Sequence, residues 1–161
     1  MKENKTIYKK EVELTNTFVI GDVHGCFHTL QNLIKKLPKR ADLIFVGDLC
    51  DRGSYSKEVI EFVINNNYAC IKGNHETYMS LHLEDVLYKN KKEINWLKKG
   101  WGGQATVDCY KNTNTSLVKK HLSWIKTLPS YILLDDTYFI SHGYALPFFK
   151  RRDSEDEYIR H

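Results

Sequence analysis

The chain has 161 residues, 42% of them hydrophobic and 27% charged, with 24 Lys and Arg against 20 Asp and Glu for a formal net charge of +4. At roughly 150 residues per domain it is expected to be one domain, 1–161, with the composition of a folded soluble protein. No apolar run nears the roughly 20 residues of a membrane helix, which excludes a spanning segment, and collagen-like and disulfide-scaffold classes are excluded too.

The mild basic excess stands in no separate block, so no nucleic-acid partner is expected. Met1 to Lys5 is charged with no apolar segment behind it, so no secretory signal is expected and the cytoplasm is the default compartment. Cys26, Cys50, Cys70 and Cys109 form no CxxC pair and read as reduced thiols rather than zinc or redox groups.

Thr17-Phe18-Val19-Ile20 predicts a strand running into Gly21-Asp22-Val23-His24-Gly25. Leu30, Leu33, Ile34 and Leu37 recur at helical spacing up to Pro38. Leu43-Ile44-Phe45-Val46 is a second strand, leading to Gly47-Asp48-Leu49-Cys50-Asp51-Arg52-Gly53. Val59, Ile60, Val63 and Ile64 predict a helix before Asn65-Asn66-Asn67, and Tyr68-Ala69-Cys70-Ile71 a third strand reaching Lys72-Gly73-Asn74-His75-Glu76. Residues 77–116 read as mostly helical, broken by Gly100-Trp101-Gly102-Gly103 with positive φ at one or more glycines. Leu117 to Thr127 predicts a helix stopping at Pro129. Leu133 to Phe139 predicts a hairpin bent at Asp135-Asp136, whose second strand reaches Ser141-His142-Gly143. Gly-bounded apolar runs alternating with helices indicate an α/β fold of βαβ units around a largely parallel sheet. In such a sheet the ligand site lies beyond the C-terminal strand ends, where every polar cluster falls.

Those ends collect Asp22, His24, Asp48, Asp51, Arg52, Asn74, His75 and His142. Carboxylate, imidazole and amide oxygen suit divalent cations such as Mn, Fe and Zn. Asp22 and His24, two apart, would project to one side on extended backbone, and Asp48 could bridge two ions. Two metals roughly 3.5–4 Å apart can activate a shared water and neutralise phosphate oxygens. Arg52 adds a planar cation suited to a bidentate grip on phosphate.

The blocks Gly21–Gly25, Gly47–Gly53 and Gly73–Glu76 resemble the signatures of calcineurin-like metallophosphoesterases, especially the phosphoprotein phosphatase branch of small bacterial and phage serine/threonine phosphatases. Gly102-Gly103-Gln104-Ala105-Thr106, Tyr110 and Phe139–Gly143 are similar to later family segments, so the likeness covers about 17–143. The resemblance implies an α/β/β/α sandwich and two divalent ions, manganese first with iron or zinc as alternatives. It implies that Asp22, His24 and Asp48 hold one ion, and that Asp48, Asn74 and His142 hold the other. His75 would be the general acid, oriented by Asp51, and Arg52 would bind the phosphoryl group. The nucleophile would be hydroxide held by the ions, with no phosphoenzyme.

The implied substrate is a phosphoprotein carrying phosphoserine or phosphothreonine, or a small phosphoester, with neither nucleic acid nor membrane as partner. The related symmetrical dinucleoside tetraphosphate hydrolases tend to have Ala where Asp51 stands and Asp where Glu76 stands, so those two residues favour the protein phosphatase. The family also has a later Gly-His ligand block that does not occur between Gly143 and His161. The chain is therefore expected to lack the C-terminal part of such a domain, with an incomplete second sheet, a weakened second metal site and a charged segment at 144–161. A truncated, inactive fold that binds metal or phosphate is the remaining alternative. His28, His82, His121 and His161 read as solvated or locally paired, and Glu76 as an acid that opens a helix or supports the ligands. Trp96, Trp101 and Trp124 read as core or interface aromatics, and 150–157 as a self-paired charged stretch.

Overall fold

The computed structural model describes residues 16–135 and 137–143; the charged segment 144–161, His161 and the N-terminal Met1–Lys5 lie outside the described residues. Strands β1 (Thr17–Ile20), β2 (Asp42–Phe45) and β3 (Ala69–Cys70) pair in parallel in that order, with α1 (Phe27–Ile34) and α2 (Ser56–Asn65) as the crossovers. Val19 pairs with Ile44 and Ile44 with Ala69, so the chain makes two consecutive βαβ units. Their C-terminal ends lie on one edge of the sheet, which places the loops starting at Gly21, Val46 and Ile71 side by side.

The period of two along each strand divides the core. Ile20, Leu43, Phe45 and Cys70 join the helical side, packing with Leu30, Val59, Val63, Met79 and Leu83. Ile44 and Ile71 point the other way, onto Ile132 and Leu134. Those two belong to an antiparallel hairpin, β4 (Tyr131–Leu134) and β5 (Tyr138–Ser141), which turns at Asp135 with φ 48°. The layers are therefore helices, a parallel sheet and a small second sheet, as expected for the metallophosphoesterase architecture. The hairpin covers β2 and β3, while Val19, on the same side of β1, stays 51% exposed.

Along the chain from β3 to β4 run α3 (Asn74–Lys89), a 3-10 turn (Asn95–Leu97), α4 (Gly103–Tyr110) and α5 (Thr115–Thr127). The glycine break expected near 100 is present, with positive φ at Gly100 and Gly102. The helical spacing toward Leu37 overreaches, because α1 ends at Ile34. The N–H groups of Lys36 and Leu37 then bond three residues back, to Leu33 and Ile34, in a tighter turn. The proline at 38 disfavours helical backbone in the residue before it. Among the described residues no helix is long and apolar enough to cross a membrane.

Candidate metal and phosphate centre

The first loop is bound backbone to backbone against the second. Val23 and His24 donate their N–H groups to the Asp48 carbonyl at 3.1 and 2.8 Å, Gly25 donates to Leu49, and Gly53 donates to the His24 carbonyl. Positive φ is concentrated here: His24 (45°), Asp48 (50°), Asp51 (70°) and Arg52 (65°) all sit in the left-handed region. Such residues cost on the order of 1–3 kcal/mol each and persist only where their surroundings hold them. The expectation that Asp22 and His24 share a side through extended backbone is corrected: β1 ends at Ile20, and the left-handed turn at His24 brings its Nε2 to 3.7 Å from Asp22 Oδ2.

Asp48 is the hub. Its Oδ2 lies 3.6 Å from His24 Nε2 and 3.7 Å from His75 Nε2, and its Oδ1 lies 3.4 Å from His142 Nε2. His142 arrives from the end of β5, its Nδ1 donating to the Val46 carbonyl at 2.8 Å and its Nε2 3.0 Å from Asn74 Oδ1. Ligand atoms of His24, Asp48 and His75 lie within 4.8 Å of one another, as do those of Asp22, Asp48 and His142.

Whether a cation suits this hollow is answered by His24. Its Nδ1 donates to the Cys50 carbonyl at 2.9 Å, which leaves a lone pair on Nε2; that atom is buried with no hydrogen-bond partner and faces two carboxylates. A buried polar atom left unpaired is costly, and a divalent ion shared with Asp22 and Asp48 would remove the cost. His142 repeats the pattern, because the Val46 bond fixes a lone pair toward the Asn74 oxygen. Imidazole, carboxylate and amide oxygen together fit Mn, Fe or Zn.

Behind the hub Glu76, fully buried in the first turn of α3, accepts N–H bonds from Asp48 (2.7 Å), Leu49 (2.8 Å) and Gly73 (3.0 Å). Burial, with the nearby Asp48 charge, pushes its pKa up against the pull of those three donors. It therefore opens a helix, as its position in the sequence suggested, and also fixes the turn that aims Asp48.

His75 Nδ1 and Asp51 Oδ2 are 2.6 Å apart. Burial is the largest influence on His75 and opposes its charge, but the Asp51 hydrogen bond, with the Asp48 and Asp51 charges, holds its pKa above the ordinary value. Arg52 Nη2 lies 3.4 Å from His75 Nε2, with its residue exposed at the rim. Asp51 is not the cap of α2. That helix starts after Tyr55 with no side-chain cap, and the Asp51 carboxylate also accepts from the Trp96 indole and Thr106 hydroxyl, both at 2.6 Å.

The structure thus gathers Asp22, His24, Asp48, Asp51, Arg52, Asn74, His75 and His142 around one hollow. Sequence reasoning missed two supports. Trp96 is a buried core aromatic, within the expectation of core or interface, and its N–H also fixes Asp51, a role its position did not show. Thr106 lay unassigned in the Gly102–Thr106 segment, although that segment was itself the available signal. His121 is locally paired, with Nδ1 2.7 Å from the Tyr110 hydroxyl, and far from this cluster in role.

The family model for calcineurin-like phosphoesterases matches residues 15–160. Among curated proteins, an asymmetrical bis(5'-nucleosyl)-tetraphosphatase of Anoxybacillus flavithermus is 32% identical over 73% of this chain and 52% of its own length. A symmetrical bis(5'-nucleosyl)-tetraphosphatase of Erwinia tasmaniensis is 33% identical over 52% of this chain and 38% of its own. The chain thus spans about half, or less, of the length of these relatives. Among solved structures, a protein serine/threonine phosphatase from Saccharomyces cerevisiae superposes with a TM-score of 0.55 at 26% identity, over 81% of this chain and 38% of that one. A structure described as a candidate diadenosine tetraphosphatase shares the fold with a TM-score of 0.59 at 21% identity, over 91% and 59%. With the ligand cluster at its strand ends and the family match across nearly its whole length, the chain belongs to the calcineurin-like phosphoesterase family.

Proposed function

We propose that this protein is a metal-dependent phosphoester hydrolase that removes phosphate from phosphoserine or phosphothreonine in proteins. The observation that carries the reading is the buried Asp51–His75 pair, whose outer nitrogen faces the Asp48-centred ligand cluster beside Arg52. Asp22, His24 and Asp48 would hold one ion and Asp48, Asn74 and His142 the second, with manganese the first expectation and iron or zinc the alternatives. Two such ions supply an activated water and neutralise charge on the phosphoryl oxygens.

The remaining work falls to the chain's own side chains. Arg52 orients the phosphoryl group through planar N–H donors. Asp51 accepts a hydrogen bond from the Nδ1–H of His75, fixing the ring so that Nε2 faces the leaving oxygen. The Asp51 hydrogen bond and the neighbouring carboxylates hold the His75 pKa above its ordinary value, which favours the protonated ring that a general acid to the departing alkoxide needs. Burial of Asp51 and His75 keeps water from competing for that bond. Free cysteines at 26, 50, 70 and 109 fit a reducing, cytoplasmic setting.

The protein-phosphatase reading is favoured by Asp51 and Glu76, the residues expected of that branch, and by likeness to the yeast phosphatase. A second reading, dinucleoside tetraphosphate hydrolysis, is favoured by the names of the curated relatives. Purified protein with manganese should release phosphate from p-nitrophenyl phosphate and from a phosphoserine peptide, and chelator should stop it. Cleavage of diadenosine tetraphosphate with none of the peptide would select the second reading. Cleavage indifferent to chelator would reject the metal mechanism, and metal binding without any cleavage would leave an inactive fold.

A further inference from the structure

The loop between α3 and α4 is fastened to the Asp51–Arg52 pair at two points. The Trp96 indole donates to Asp51 Oδ2 at 2.6 Å, and the Gly102 carbonyl accepts the Arg52 N–H at 3.0 Å. The second contact is tight: a Cβ on Gly102 would lie 2.7 Å from Arg52 Cγ. Between these anchors the Lys98 carbonyl accepts the Trp101 N–H at 3.1 Å, closing a turn whose end Cα atoms lie within about 7 Å.

That turn carries Lys98 and Lys99, both exposed, three to four residues along the chain from the Gly102 that meets Arg52. Next to it Lys92, Glu93, Ile94, Asn95, Leu97 and Lys98 line an open groove of about 390 Å³. Among the described residues Lys89 and Lys91 meet the charge of Asp85, whereas no ion pair involves Lys92, Lys98 or Lys99. Trp101 is half-buried with its ring 4.8 Å from Tyr78, which steadies the base of the turn.

We infer that the Lys98–Lys99 turn is a specificity-determining wall that selects phosphopolypeptides with acidic side chains a few residues from the phosphorylated one. The inference rests on the reading that the protein removes phosphate from phosphoserine or phosphothreonine in proteins. An extended peptide advances about 3.3 Å per residue, so a carboxylate two to four positions from a phosphoserine at Arg52 comes within reach of these ammonium groups. The anchors at Trp96 and Gly102 tie the loop that carries the two lysines to Asp51 and to Arg52. Exposed charge pairs are individually weak and screened by salt, so the preference acts through several of them and fades as ionic strength rises.

The test compares kcat/KM of the full chain, with manganese, on a phosphoserine peptide flanked by Glu and on the same peptide with those Glu replaced by Gln. The wild-type protein should prefer the acidic peptide, and the combined Lys98→Glu and Lys99→Glu variant should lower the acidic-to-neutral ratio about tenfold. Because each ratio is measured on one protein, a partly unfolded variant does not distort it. A ratio unchanged by charge reversal overturns the inference, as does a variant whose diadenosine tetraphosphate cleavage falls while the peptide ratio stays constant. Failure to cleave even p-nitrophenyl phosphate defeats the hydrolase reading instead. Peptide binding by fluorescence anisotropy then reads the wall directly, with the acidic peptide expected to bind about tenfold more tightly than the neutral one. Equal binding of the two overturns the inference.

Discussion

His75 Nδ1 and the Asp51 carboxylate meet at 2.6 Å, and Asp51 has no exposed surface at all. Bulk water therefore does not reach the Asp51 carboxylate, which Trp96 and Thr106 hold in place against the ring. Replacing Asp51 by Asn keeps the volume and removes the charge. The kcat for a phosphoserine peptide is expected to fall by about 10²-fold, within the range of general acid catalysis. Since Asp51 raises the His75 pKa, its loss should also move the alkaline limb of the kcat profile to lower pH. A pH–rate series on both proteins checks this, and an unmoved limb would count against the acid role.

Gly102 has φ 86°, and a Cβ there would come within 2.6 Å of the Arg52 nitrogen. Gly102→Ala must displace the Arg52 backbone, which accepts no easy alternative at φ 65°. The expected outcome is a KM raised about tenfold, with manganese content unchanged, because Arg52 positions substrate and not metal. Steady-state kinetics beside elemental analysis separates the two effects.

Glu76→Gln tests the brace behind Asp48. An amide presents N–H toward at least one of the three N–H groups that the carboxylate now accepts, leaving donors face to face in a fully buried place. Urea unfolding should show a loss of about 3 kcal/mol. A change below the fitting error would mean that the turn at Asp48 holds without the acid.

His121 is fully buried beside Tyr110, and burial first, then Lys120 and Lys57, lowers its pKa to about 4. As pH falls, the unfolded chain takes up this proton near 6.5 while the folded one resists it down to about 4. Stability from this group is full above about pH 6.5 and is lost between there and about pH 4, by about 3 kcal/mol. The His121→Gln protein should lose correspondingly less over the same range. Chemical denaturation at several pH values measures the difference.

Much of this arrangement was legible because its causes are local. Ile20, Phe45 and Cys70 end short apolar strands, and the loop leaving a parallel strand lies at the ligand edge whatever the details of its turn. The partners of Asp51 were not legible. Trp96 and Thr106 reach it across many residues of chain, through a helix and a glycine turn whose packing no periodicity encodes. The turn at His24 escaped for another reason. Non-glycine residues rarely adopt positive φ, so extended backbone was the natural expectation, and the bend is held by hydrogen bonds from Val23, His24 and Gly25 to the distant Asp48 loop and from Gly53 to the His24 carbonyl. The end of α1 shows the reverse case, where apolar spacing continued to Leu37 but the backbone tightened into bonds three residues back after Ile34, ahead of Pro38.

The central claim is that Asp48 joins two cation sites, and metal content measures it most directly. Protein dialysed against millimolar manganese and analysed for bound metal should carry about two ions per chain, the second more weakly held because Asp48, Asn74 and His142 offer one carboxylate and a neutral amide where the first site has two carboxylates. The Asp48→Asn protein should lose both, with its fold intact by circular dichroism. Wild-type protein that binds no manganese, iron or zinc, or an Asp48→Asn protein that binds as much as wild type, would contradict the account.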